Sequence, residues 1–297
     1  MTRPFIALDW GTSSFRAYEV GGDGKVLNQV SAPEGILTVK DQQFEATLES
    51  HIGSWDKTLP VVASGMITSR QGWVECTYAE CPAGAAELAK SLNALTTKSG
   101  RNVHFITGLH YASPSIHHDV IRGEETQVVG SLASGARHFV TPGTHSKWIE
   151  VDGDRVVSFA TYMTGESFAL YSQHSILSRL MSGDAADASA FKRGVDQAFS
   201  DPAGLLHALF SVRTLGLFKD VAAEALNSYL SGLLIGTEVA HATMGHDRSA
   251  EYQILGSAGL AEAYVAAMKL AGLKVTTGDP LCVISGQRKI AQAAGVI

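Results

Sequence analysis

The chain has 297 residues, 45% of them hydrophobic and 18% charged, with 30 glycines and 3 cysteines, a globular composition long enough for two domains that each bury a core. Twenty-three Lys and Arg against 29 Asp and Glu leave a net charge of −6. That excludes a global basic field for nucleic acid or an anionic membrane, so any anionic ligand has to be held by local design. Cys76 and Cys81 lack the second ligand pair that structural zinc needs, and three thiols cannot all pair, which predicts a reducing, cytoplasmic setting. The apolar run Phe5 to Leu8 is too short for a signal peptide, and no stretch approaches the ~18 apolar residues of a membrane span.

In chain order, FIALDWGTSSFRAYEV (5–20) predicts a strand, a small-residue turn at Gly11-Thr12-Ser13-Ser14 and a second strand; the GGDGK turn leads to a third near Val26. Phe44, Leu48, His51, Ile52 and Trp55 lie at helical spacing within Asp41 to Trp55, and Leu59 to Ala63 reads as a buried strand. Ala83 to Leu95 reads as a helix, Val103 to Thr107 as a strand and Gly123 to Ser134 as a helix. HFVTPGTHSKWIEV (138–151) then repeats the opening plan, with a turn at Gly143-Thr144-His145-Ser146, a DGDR turn and a strand from Arg155 to Ala160. A long helical region follows, with Val221, Ala225, Tyr229 and Leu233 on one stripe that reads as core. Then come a strand at Tyr252 to Leu255, a helix carrying Leu260, Tyr264 and Met268, a strand at Leu281 to Ile284 and a last helix from Gln287.

Gly-Thr-x-Ser thus recurs 132 residues apart, each copy heading a similar series of elements. The pattern predicts a duplicated α/β architecture: two similar domains of three antiparallel strands plus alternating helices and strands, with a cleft between them. The boundaries fall at 1–117, a hinge helix at 118–136, and 137–297. A turn of this kind lets consecutive amides and hydroxyls converge on one anion. Gly11, Thr12 and Ser13, and Gly143, Thr144 and His145, are therefore candidate phosphate cradles, although small polar residues also serve any tight hairpin.

The copies differ in that Asp9 precedes the first turn and Thr141 the second. A carboxylate ~5 Å from a phosphate charge is repelled by about 3 kcal/mol per unit charge at an effective dielectric of ~20. An intervening cation resolves this, and oxygen ligands with phosphate suit Mg²⁺, with Asp9 as its carboxylate; the other reading of Asp9 is a turn aspartate bonded to nearby amides. Lys147 is either a phosphate contact or a solvated strand lysine. Gly256, Ser257 and Gly259, in a third glycine cluster between a strand and a helix, would let an adenosine approach the backbone, or would serve close helix and strand packing. P-loop, Rossmann, zincin and nucleophile-elbow motifs are absent from the sequence. His117-His118 and His241 with His246 have no recognised zinc spacing.

These turns, with ALDWGTSSFRAY, SGMI (64–67), GWVE (72–75), RGEETQ (122–127), GTHSKW (143–148) and LGSAGLAEAY (255–264), resemble the superfamily of actin, hexokinase and the heat-shock ATPases. Within it the chain is most similar to the 2-dehydro-3-deoxygalactonokinases, the bacterial sugar-acid kinases of galactonate breakdown. The resemblance implies two ribonuclease H-like domains and Mg²⁺-assisted transfer from ATP to the 6-hydroxyl of 2-dehydro-3-deoxy-galactonate. It also implies a sugar-acid site that includes Ser64, Gly65 and Met66. Many hexokinase-like kinases carry an aspartate base near the first hinge helix; here the acids are Glu124, taken as the base, and Glu125, with Asp119 and His145 as outsiders. Acids in a helix's first turn also favour its dipole without any catalysis. Arg16, Arg70 and Arg122 are candidates for the substrate carboxylate, which needs a guanidinium fork. The alternatives are an exopolyphosphatase-type phosphohydrolase, a kinase of another 2-keto-3-deoxy sugar acid and an actin-type filament protein, the last disfavoured by the short length. The partners expected are ATP and a small sugar acid, without nucleic acid or membrane, and a homodimer is the assembly considered.

Overall fold

The computed structural model describes residues 2–183, 185–247 and 249–297. The first part of the chain forms β1 (Phe5–Trp10), β2 (Phe15–Val20), β3 (Val26–Ala32), α1 (Phe44–Ile52), β4 (Val61–Ser64), β5 (Ala79–Glu80), β6 (Ala83–Gly84), α2 (Ala85–Lys90), β7 (Asn93–Thr96), β8 (Asn102–Phe105), β9 (Leu109–Tyr111), β10 (Asp119–Ile121) and α3 (Glu124–Ser131). The rest forms β11 (His138–Thr141), β12 (Ser146–Asp152), β13 (Arg155–Tyr162), α4 (Thr164–His174), α5 (Ala188–Ser200), α6 (Leu205–Leu217), α7 (Leu226–Ala242), β14 (Glu251–Ile254), α8 (Ala258–Leu270), β15 (Lys274–Thr277) and α9 (Cys282–Ala293).

One sheet runs β3-β2-β1-β4-β8-β7 and another β15-β14-β11-β12-β13-β6, with β10-β9-β5 forming a small third. Reading β3-β2-β1-β4-β8 against β13-β12-β11-β14-β15 gives the same order twice, so the duplication expected from the two turns is present in the topology. In both copies the first strand pairs in parallel with the strand that follows the intervening helices, β1 with β4 and β11 with β14. This is an α/β fold built on two ribonuclease H-like strand sets.

By compactness the chain divides into one unit of Met1–Ala136, Ile149–Phe159 and Asp279–Ile297, and another of Arg137–Trp148 and Ala160–Gly278. The first has its core under β1, where Ile6, Leu8 and Trp10 meet Phe44, Leu48 and Ile52 of α1 and Val103 and Phe105 of β8. α1 ends on a buried guanidinium: Arg101 donates to the carbonyls of Ile52, Trp55 and Asp56 at 2.7 to 3.0 Å and to Glu49 Oε1 at 2.9 Å, satisfying helix-end carbonyls that would otherwise lack partners. In the second unit Val140, Trp148, Tyr252, Tyr264 and Met268 share a core with α7, and the stripe Val221, Ala225, Tyr229 and Leu233 is buried as expected.

Two sequence expectations change. Only Ala85–Lys90 of the helix expected over Ala83 to Leu95 is helical, flanked by β6 and β7. The strand expected at Leu281 to Ile284 is the start of α9, and the edge strand is β15 instead. The Asp279 carboxylate accepts from Leu281 N at 2.8 Å and its carbonyl from Cys282 N at 3.1 Å, starting the helix just after Pro280. Cys282, Val283, Ile284, Gln287, Ile290 and Ala291 then form one buried face.

α3 and α9 cross in close contact. A methyl group at Gly286 would overlap the Thr126 carbonyl oxygen, and one at Gly130 the Cys282 carbonyl oxygen. These two glycines therefore set the approach of the helices.

Candidate active site

β1 delivers Asp9 to the edge of the first turn, and the antiparallel register places Arg16 of β2 opposite it. Arg16 Nη2 lies 2.8 Å from Asp9 Oδ2. Parallel pairing with β4 puts Ser64 beside Asp9 on the other flank. Gly65 follows at φ +93°, where an added Cβ would stand 2.9 Å from the Trp10 carbonyl oxygen and 3.3 Å from Asp9 Oδ1. Gly123, at φ +112°, abuts Gly65: a Cβ there would lie 3.2 Å from the Gly65 Cα. Two glycines in a backbone region that side chains disfavour thus let the start of α3 reach the end of β1.

That approach places Glu124 close enough to Asp9 for their charges to interact. Burial first and Glu124 second raise the Asp9 carboxyl above its ordinary value, against the lowering effect of Arg16. Glu124 is half-buried, and its Oε2 accepts from Arg122 N at 2.9 Å. Glu125 is fully buried; it accepts from Gly123 N at 2.7 Å and from the Thr126 hydroxyl at 2.9 Å. Burial, with Glu124 adding to it, pushes Glu125 up to about 7.

A carboxyl whose folded pKa lies above its unfolded value stabilises the fold at low pH, and that contribution disappears as pH rises from about 4.5 through 7. Glu125→Gln is expected to remove this pH dependence, worth about 3 kcal/mol in the wild type. Urea unfolding at pH 5 and pH 8 measures the difference.

Gln287 of α9 was not anticipated from the sequence. Its Nε2 donates to the Leu8 carbonyl at 2.8 Å and to Ser64 Oγ at 2.9 Å, joining the ends of β1 and β4 from below. Arg122 has its Nη atoms on the Thr68 carbonyl and hydroxyl and on the Cys76 carbonyl, at 2.6 to 3.0 Å, and its guanidinium stacks over Tyr78. Arg70 is exposed and makes no hydrogen bond or ion pair with the described residues. Met66 packs half-buried against the core, and Asp119 is buried on β10.

The second unit carries the second turn. Glu166, in the first turn of α4, donates its amide to the Thr144 carbonyl at 2.9 Å, and its carboxylate lies 2.5 Å from His145 Nε2. Lys147 is buried, with Nζ 2.5 Å from the His145 carbonyl oxygen. Among the described residues no hydrogen bond engages the amides of Thr12 and Ser13, nor those of Gly143, Thr144 and His145. Both turns therefore carry amides without an internal partner among the described residues, as an anion cradle requires, the Ser13 amide lying against Gly35. Gly256 stands against Pro142, so the third glycine cluster, with Ser257 at the N-cap of α8 and Gly259 inside it, adjoins the second turn.

Behind that turn lies Glu238 of α7, a second residue the sequence does not single out. It accepts from Trp148 Nε1 and from the Tyr264 hydroxyl, each at 2.7 Å, and burial raises its carboxyl while these bonds and those with Ser146 and Thr164 lower it. The acid ties β12, α4, α7 and α8 together beneath the turn.

No group of three or more His, Cys, Asp or Glu among the described residues could hold a metal ion by itself. Asp9 with Glu124 nearby nevertheless fits Mg²⁺ held jointly with phosphates, since Mg²⁺ commonly takes one or two carboxylates and completes its shell with phosphate and water. No helix among the described residues is long and apolar enough to cross a membrane.

Comparison with known proteins supplies what geometry alone leaves open. The chain is 38% identical over 283 residues to a protein of Rhizobium meliloti named a probable 2-dehydro-3-deoxygalactonokinase, covering 93% of this chain and 92% of the relative. It is 35% identical over 242 residues to the 2-dehydro-3-deoxygalactonokinase of Escherichia coli, covering 81% and 80%. A Sinorhizobium meliloti crystal structure assigned to the same activity superposes with a TM-score of 0.89 at 37% identity, covering 97% of this chain and 98% of the other. A xylulose kinase of Lactobacillus acidophilus shares the fold alone, at TM-score 0.52 and 10% identity, over 99% of this chain and 90% of its own. The family model described as 2-keto-3-deoxy-galactonokinase matches residues 9–290, from the Asp9 carboxylate to the buried face of α9, and the chain belongs to that family.

Proposed function

We propose that the protein transfers the γ-phosphoryl group of ATP to the 6-hydroxyl of 2-dehydro-3-deoxy-D-galactonate. The observation that carries the mechanism is Glu124, half-buried at the start of α3 and within electrostatic reach of Asp9 beside the first turn. Glu124 accepts the hydroxyl proton while that oxygen bonds to the γ-phosphorus and the bond to the ADP oxygen breaks. Glu125, with both oxygens engaged, is the second choice for this role. Asp9 would hold Mg²⁺, which supplies charge neutralisation on the phosphates.

Gly11, Thr12 and Ser13 serve the transferred phosphoryl group; Gly143, Thr144, His145 and Lys147 serve the nucleotide phosphates; Gly256, Ser257 and Gly259 serve the adenosine. Ser64, Gly65 and Met66 border the sugar acid. For its carboxylate, Arg122 is committed to backbone carbonyls and Arg16 to Asp9, which favours Arg70. Functionally, residues 1–117 carry the acceptor side, 118–136 the hinge segment and 137–297 the nucleotide side, in a cytoplasmic enzyme.

Incubation with Mg-ATP and a panel of 2-keto-3-deoxy sugar acids tests the proposal. ADP formation is expected only with an acceptor, fastest with the galactonate derivative, and the product phosphate is expected on C6. Orthophosphate release without any acceptor would instead indicate a phosphohydrolase, and faster turnover of another acid would reassign the substrate.

A further inference from the structure

α6, within the helical insertion between β13 and β14, reads LLHALFSVRTLGL: it has no acidic residue and one arginine. Its inner face is accounted for, since Ala208, Leu209 and Val212 are buried against the core around Tyr229 and Leu230. The outer face is also apolar. Leu206 is 84% exposed, Phe210 55% and Leu217 52%, and Phe218 at the C-cap 78%. At ~100° per residue, Leu206, Phe210, Arg213 and Leu217 fall within an arc of about 60°, so they form one stripe along the helix. Ile176, 54% exposed, extends it sideways, because Arg213 Nη1 donates to the Ile176 carbonyl at 3.2 Å. A helix apolar on both sides belongs between two layers, and the described residues supply one of them.

We infer that this face is the interface of a homodimer, with α6 pairing antiparallel to its counterpart about a two-fold axis. Three considerations commit it to a second copy. Leu206, Phe210, Leu217 and Ile176 expose roughly 450 Å² of side chain, within the ~300–600 Å² of the largest patch on a soluble monomer, and flanking polar atoms bring this toward the ~800 Å² each partner contributes to a standard interface. The stripe is self-complementary: a two-fold between Phe210 and Arg213 sets Leu206 against the other copy's Leu217, as an isologous contact requires. The same axis sets each Arg213 over the opposite Phe210, so the two arginines meet aromatic faces and not each other.

Sedimentation velocity tests this. The wild-type chain is expected to run as a dimer at ~50 µM, where an interface of this size holds. The double variant Leu206→Glu, Phe210→Glu is expected to weaken association by at least about 30-fold and run as a monomer, with an unchanged far-UV circular dichroism spectrum. Leu217→Glu, at the other end of the stripe and 52% exposed, is expected to weaken association too and guards against misfolding of the double variant. A wild-type monomer at that concentration would overturn the inference. So would a dimer that survives in both variants, since the contact would then lie elsewhere.

Discussion

Glu124→Gln is expected to lower kcat by about 10²- to 10⁴-fold while leaving the KM for ATP within about threefold. The amide keeps the shape of the side chain and the bond its Oε2 accepts from Arg122 N, so α3 should start where it does now. What it loses is the ability to take a proton. Because Glu124 also adds to the upward displacement of the Asp9 carboxyl, the same variant should make Asp9 easier to ionise and move the acid limb of the pH profile to lower pH. Steady-state kinetics over a pH series measure both quantities. Glu125→Gln provides the contrast, with turnover reduced less because Glu125 already spends both oxygens within α3. Full turnover in the Glu124 variant would remove it as the base.

Gly286→Ala is expected to destabilise the protein by at least about 3 kcal/mol, the upper range for overpacking, because the atom it would strike is a backbone carbonyl that cannot rotate away. The added methyl collides with the Thr126 carbonyl oxygen, and relief requires α9 to move off α3. That displacement would also carry Gln287 away from Leu8 and Ser64, loosening the strand end that presents Asp9. Gly259→Ala is the control for helix propensity alone: a Cβ there meets nothing within 4 Å, and stability should be unchanged or higher by up to about 1 kcal/mol. Urea unfolding midpoints distinguish the two.

The strand and turn plan was legible because short apolar runs bounded by glycine turns are local signals. FIALDW and FRAYEV show their pairing directly, and the repeat of Gly-Thr-x-Ser exposes the duplication. The α9 start was not legible, since four apolar residues between Pro280 and Ser285 fit a strand or a helix equally and only the continuing face at Gln287, Ile290 and Ala291 separates them. β7 was hidden because Asn93 to Thr96 has little apolar alternation beside the helical Ala85 to Lys90. At the site, Asp9 and Glu124 stand in motifs, whereas Gln287 and Glu238 are single polar residues in apolar helices. Their partners, Leu8 and Trp148, are 279 and 90 positions away, and no local pattern encodes such a distance. The commitment of Arg122 to carbonyls was equally beyond reach, because sequence cannot show which donors are already satisfied.

Asp279–Ile297 belongs to the same compact unit as the N-terminal strands. The residue that braces the strand bearing Asp9 is therefore made 279 positions after the Leu8 it grips, and the unit cannot close until the intervening residues have left the ribosome. Nascent chains stalled short of Gln287 would carry both Gly-Thr-x-Ser turns yet lack the clasp beneath Asp9, and such copies are expected to be inactive if Asp9 serves as proposed.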